Sequence, residues 1–141
     1  MSARLSRKNP PVAGRYLLDT QAFLYLAQFP DRLPSRLWPT IEDTRNDLHL
    51  SIASLWEVQI KTMIGKLTLG APLDRLVTTQ QQENGLSLLP INLAHVVEIG
   101  RLPFHHRDPF DRMLVAQARV ESLTLLSSDA GLSAYDVPVH W

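Results

Sequence analysis

The chain has 141 residues, no cysteine and a formal net charge of zero, with 45% hydrophobic and 20% charged residues. This suits one globular domain with an ordinary core, and it excludes a disulfide scaffold, a thiolate metal site and a cysteine nucleophile. No apolar run is long enough to span a bilayer, and no apolar stretch follows the polar, basic start, so a cytoplasmic protein is expected. The neutrality hides an asymmetry. Residues 1–15 carry Arg4, Arg7, Lys8 and Arg15 with no acid, whereas residues 16–141 hold ten basic and fourteen acidic side chains. A body with excess carboxylate does not bind polyanions unless cations occupy some of those acids.

Asn9-Pro10-Pro11 disfavours helix, so residues 1–15 are expected to form a disordered basic leader and residues 16–141 the folded domain. Tyr16-Leu17-Leu18 reads as a strand, followed by an amphipathic helix from Ala22 to Phe29. Pro34 to Asp43 is a second helix candidate, with Pro39 marking a break or a late start. Leu48 to Ser51 reads as a strand. Apolar residues then recur at three- and four-residue spacing from Ile52 to Ile64, a helix stopped by Gly65. Further helices are expected over Leu73–Glu83, Leu93–Leu102 and Pro109–Glu121. Strands are expected over Leu86–Ile91, Leu123–Leu126 and Val137–Val139. Strands alternating with helices predict an α/β domain with a mainly parallel sheet.

Three acids share a position type. Asp19 and Asp129 each follow a predicted strand, and Glu57 lies in the second turn of the helix after the Leu48–Ser51 strand. Ligand crevices in open parallel sheets lie outside the carboxyl ends of the strands, so these residues can converge. Each also has an ordinary reading: Glu57 as a solvated partner of Lys61, Asp129 as a helix cap. Asp108-Pro109-Phe110-Asp111 carries a cap, a first-turn proline and an acid that favours the helix dipole. Yet Asp111 shares a face with Leu114, Val115 and Ala118, where a carboxylate needs a partner. Converging carboxylates repel unless a cation neutralises them, and an oxygen-only donor set suits Mg²⁺ or Mn²⁺ rather than Zn²⁺. Such sites serve phosphoryl chemistry, in which the metal activates water and stabilises the leaving oxygen.

His105 and His106 read as a loop pair before the Asp108 cap. The three tryptophans read as packing residues, with Trp56 at the centre of an apolar stripe. Arg107, Arg112 and Lys61 lie beside the acids in sequence and are candidate phosphate contacts, though each also reads as a surface charge. No glycine-rich nucleotide loop or serine-hydrolase elbow is present.

The strings LLDTQAFLYL (17–26), SIASLWEVQIKTMIGKLTL (51–69), LPFHHRDPFDRMLVAQA (102–118) and LTLLSSDAGLSAYDVPVHW (123–141) resemble the PIN-domain family. Within that family they resemble the VapC-type toxins of bacterial type II toxin–antitoxin pairs. The resemblance implies a three-layer α/β/α sandwich, a homodimer, a cognate antitoxin and Mg²⁺-dependent endoribonuclease activity, with Mn²⁺ able to substitute. It implies that Asp19, Glu57, Asp111 and Asp129 are the catalytic and metal-holding acids, with Asp108, Ser127 and Thr20 as auxiliaries. In this subgroup a histidine commonly follows Asp-Thr. Here Gln21 stands in its place, which keeps a donor and an acceptor but cannot titrate. A different class of function stays open, a catalytically weak module that captures its antitoxin and joins an operator-binding complex. A nuclease acting on DNA is a third possibility.

Overall fold

In the computed structural model, which describes residues 14–141, strand β1 (Arg15–Leu18) opens the domain. Most of the expected leader, residues 1–13, lies outside the described residues, and Arg15 belongs to β1. Helix α1 (Thr20–Gln28) begins two residues earlier than the apolar pattern suggests, because the Asp19 carboxylate caps it and accepts from the Ala22 amide at 2.7 Å. A 3-10 turn (Ser35–Leu37) then leads into the short helix α2 (Trp38–Glu42). Pro39 sits in the first turn of α2, where its missing N–H has no partner to lose.

Strand β2 (Asp47–Ser51) feeds directly into helix α3 (Ile52–Met63), capped by the Ser51 hydroxyl. Helix α4 (Leu73–Asn84) stops at Gly85, which adopts the left-handed conformation that glycine tolerates best. Strand β3 (Ser87–Leu89) is shorter than expected and ends before Pro90, as suits a strand at the sheet edge. Helix α5 (Leu93–Ile99), helix α6 (Pro109–Glu121), strand β4 (Thr124–Leu126), a 3-10 turn (Ala130–Tyr135) and strand β5 (Val139–His140) complete the chain.

The five strands are all parallel, in the order β3-β2-β1-β4-β5. Side chains alternate across the pleat, so Leu17 and Leu18 enter different cores. Leu18 joins Phe23, Leu26, Leu48, Leu50 and Val77 beneath α1, α2 and α4. On the other face Leu17 meets Leu114, Val115, Leu125, Leu132 and Tyr135. Helices on both faces of a parallel sheet make the expected three-layer α/β/α sandwich. No described helix is long and apolar enough to cross a membrane.

Candidate active site

Strands β1 and β4 are neighbours, and the chain leaves their carboxyl ends towards different cores: α1 enters the first, and Leu132 and Tyr135 enter the second. This is the switch point at which an open parallel sheet leaves a crevice. The crevice has a volume of about 460 Å³, and its walls include Asp19, Glu57, Asp108, Asp111 and Asp129 together with Lys61 and Lys66. The acids come from separate places: the end of β1, helix α3, the cap and first turn of α6, and the loop after β4.

Asp19 is held by its own helix. Burial pushes its carboxyl above the ordinary range; hydrogen bonds from the Ser127 hydroxyl and the Ala22 amide pull it down, while Glu57 and Asp129 push it further up. Glu57 is buried although it lies on a surface helix. Its Oε1 accepts from the Thr20 hydroxyl at 2.6 Å and its Oε2 from Lys61 Nζ at 2.8 Å. Thr20 Oγ1 also lies 3.0 Å from the hydroxyl of Ser54, which is fully buried.

Asp111 is pushed up to about 6, first by burial and then by the neighbouring carboxylates of Asp108, Glu57 and Asp19, with His106 opposing them. Asp108 caps α6, accepting from the amides of Phe110 at 2.8 Å and Asp111 at 3.2 Å. Asp129 caps the 3-10 turn through the Gly131 amide at 2.9 Å, while its own amide donates to Ser127 Oγ at 3.0 Å. Its Oδ2 lies 3.2 Å from His106 Nε2, and the His106 amide donates to the Tyr135 hydroxyl. Gly131 allows this packing, since a Cβ there would lie 3.1 Å from Asp129 Oδ1.

The structure thus brings Asp19, Glu57, Asp108, Asp111 and Asp129 to one cleft, with Thr20 and Lys61 in its wall and Ser127 behind Asp19. It moves two other expectations. Arg112 is not a phosphate contact: it is buried, and its guanidinium donates to the carbonyls of Pro103, Ile99 and Leu102 at 2.8 to 3.3 Å, beneath the Phe104 ring. These carbonyls lie at and beyond the end of α5, so Arg112 ties down the turn in which that helix stops, sharing the Ile99 carbonyl with the Leu102 amide. Arg107 is exposed on the loop before Asp108 and does not line the cleft. Trp56 is 60% exposed rather than central to a core, and it meets Phe110 edge-on at 5.4 Å. His106, Ser54 and Lys66 are site neighbours that spacing alone did not single out.

Five carboxylates against two lysines leave a deficit of positive charge, which adds to burial, the larger cause, in raising the Asp19 and Asp111 carboxyls. The donors are hard oxygens without thiolate, which fits Mg²⁺ or Mn²⁺. Among the described residues, no group of three or more His, Asp or Glu side chains is arranged to hold a metal ion as it stands. Glu57 is engaged by Lys61 and Asp129 by His106, so the donor chemistry fits a divalent cation once those partners yield.

A profile of the PIN domain matches residues 16–138. A search of curated proteins finds no match. Among solved structures, the fold is similar to VapBC2 from Rickettsia felis bound to a DNA fragment of its promoter, with a TM-score of 0.65 and 15% identity over 89% of this chain and 97% of that one. It is similar to FitAcB from Neisseria gonorrhoeae, with a TM-score of 0.60 and 19% identity over 89% and 96% of the two chains. It is also similar to DNA-bound VapBC from Salmonella typhimurium, with a TM-score of 0.62 and 14% identity over 90% and 97%. The profile spans most of the chain and the sandwich has the corresponding fold, so the protein belongs to the PIN-domain family.

Proposed function

We propose that the protein is a divalent-metal-dependent endoribonuclease and the toxin of a type II toxin–antitoxin pair. The observation that carries this reading is the meeting of Asp19, Glu57, Asp111 and Asp129, from four separate elements, in one cleft at the sheet's switch point. Asp19, Glu57, Asp111 and Asp129 would hold one or two Mg²⁺, with Mn²⁺ as a substitute. The ion supplies Lewis acidity and a neutral-pH source of nucleophilic water.

The remaining groups orient those acids. Thr20, itself bonded to Ser54, fixes one oxygen of Glu57, and Ser127 fixes Asp19. Lys61 and Lys66 offer positive charge to an RNA phosphate at the rim. No side-chain nucleophile is required. The similar structures from Rickettsia, Neisseria and Salmonella are of VapBC and FitAcB, and they support a cognate antitoxin as this chain's partner. The exposed apolar side chains Ile52, Trp56, Leu88, Leu93 and Val96 support surfaces covered by that partner and by a second copy in a homodimer. The expected setting is the cytoplasm, where RNA is available.

The test is to incubate antitoxin-free protein with total RNA in Mg²⁺, in excess EDTA, and beside an Asp111→Asn control. Discrete fragments that need both metal and Asp111 are the expected outcome. Intact RNA from folded protein in Mg²⁺ and in Mn²⁺ would replace the nuclease with a module that only captures its antitoxin.

A further inference from the structure

The acid cleft already contains a cation. Lys61 Nζ lies 2.8 Å from Glu57 Oε2, on the same helix one turn on, and both residues line the cleft with Asp108 and Asp111. The Glu57 side chain is 11% exposed and the Lys61 side chain 47% exposed, so the pair runs from a buried carboxylate to an ammonium at the cleft wall. The other Glu57 oxygen is occupied by Thr20. As it stands, then, Glu57 has no oxygen free of a partner to offer an ion, in keeping with the absence of a ready ligand group among the described residues.

We infer that Lys61 is the internal counter-cation of the metal-free site, and that a divalent ion takes Glu57 by displacing the Lys61 ammonium. The inference rests on the metal-dependent reading above and adds a role to it. Glu57 is the acid whose partners include a full positive charge; Asp19 is held by a hydroxyl and an amide instead. An ammonium with its stem half in solvent can swing away at small cost, whereas Glu57 is fixed by Thr20 and by its burial. The swing leaves the charge on the cleft wall, within reach of a substrate phosphate. Metal binding and phosphate binding therefore support one another through one side chain.

The discriminating variant is Lys61→Met, which keeps the aliphatic stem and removes the charge, with Lys61→Arg as the charge-retaining control. Mn²⁺ binding is measured by calorimetry on purified, antitoxin-free protein, and thermal stability is measured in EDTA and in saturating Mn²⁺. Lys61→Met is expected to bind Mn²⁺ at least about fivefold more tightly than the parent, since the ion no longer competes with an ammonium. It is expected to melt earlier than the parent in EDTA, where Glu57 has lost its counter-charge, and to match it in saturating Mn²⁺. Lys61→Arg is expected to bind like the parent.

Equal or weaker Mn²⁺ binding by Lys61→Met overturns the inference. A melting deficit that persists in Mn²⁺ also overturns it, because it makes Lys61 a structural prop. If the parent and both variants all fail to bind Mn²⁺, the metal reading itself fails and the counter-cation role falls with it. Binding that is merely equal sinks only the role of Lys61.

Discussion

The residue that follows the first acid holds the second: the Thr20 hydroxyl donates to Glu57 Oε1 at 2.6 Å. Asp19 caps the helix that Thr20 begins, so a single turn of backbone sets the spacing of two acids that are far apart in sequence. Thr20→Val keeps the shape and removes the donor. It is expected to cost about 1 kcal/mol of stability and to slow RNA cleavage about tenfold, in line with other supporting-shell losses. Thr20→Ser should restore both. Urea titration beside single-turnover cleavage checks this, and a fully active Thr20→Val protein would show that the hydroxyl does not orient Glu57.

Asp111 makes the metal-free protein lose stability as the pH rises out of the mildly acid range. Its carboxyl is raised from 3.8 to about 6, so between those values the folded protein holds a proton that the unfolded chain has released. This group's contribution to stability is therefore greatest below its ordinary value and declines as the pH rises to about 6. In EDTA, the stability of the parent relative to Asp111→Asn is expected to fall across that window and then level off. Urea midpoints at successive pH values measure the difference, and carbon NMR of the Asp111 carboxyl gives the midpoint directly. A difference that does not change with pH would place Asp111 in ordinary solvent.

Arg112 separates structure from substrate contact. Its buried guanidinium serves the carbonyls that close the segment between α5 and α6. Arg112→Met is expected to cost about 3 kcal/mol, because a buried guanidinium loses its bonds to several carbonyls at once. Arg112→Lys should recover only part, since a point charge does not match the fork of carbonyls. If Arg112→Met instead melted like the parent and lost only RNA affinity, the buried-clamp role would be wrong.

Asp19→Asn should separate activity from folding. The amide still caps α1, and it removes a charge that burial and the carboxylates of Glu57 and Asp129 disfavour. Cleavage is expected to fall by about 100-fold or more. Melting in EDTA should stay the same or rise, and capture of the antitoxin should be intact. Cleavage that survived the substitution would move the chemistry away from this cleft.

Much of the fold was legible because its signals are local. The cap at Asp108, the first-turn proline at 109 and the apolar run Leu123–Leu126 announce elements in the places where they form. Asp19, Glu57 and Asp129 could be drawn together from strand ends, whereas Asp111, in the first turn of a helix that follows no strand, joined them only through the family resemblance. What stayed hidden depends on which face of a helix the rest of the chain covers. A helical wheel puts Trp56 at the middle of the α3 stripe, but the buried face runs through Ala53, Ser54, Glu57 and Val58. The wheel could not know that this helix turns an acid inwards towards Thr20. Arg112 was misread for the same reason: beside Asp111 it looks like surface charge, and only the fold of residues 99–106 beneath it reveals a buried clamp. His106 gave no spacing signal because its partner, Asp129, arrives from beyond β4.

The pairing of β1 with β4 bears on how the protein is made. Tyr16 lies beside Thr124 and Leu18 beside Leu126, so the central seam of the sheet joins an early strand to a late one. Closing so long a loop comes late in folding, after the local pairs have formed. A chain still emerging from the ribosome can assemble β1, β2 and β3 and bring Asp19 near Glu57. It lacks Asp111 and Asp129 until α6 and the loop after β4 have been synthesised. Stalled or truncated products therefore carry only part of the cleft, without the acids of α6 and of the loop after β4.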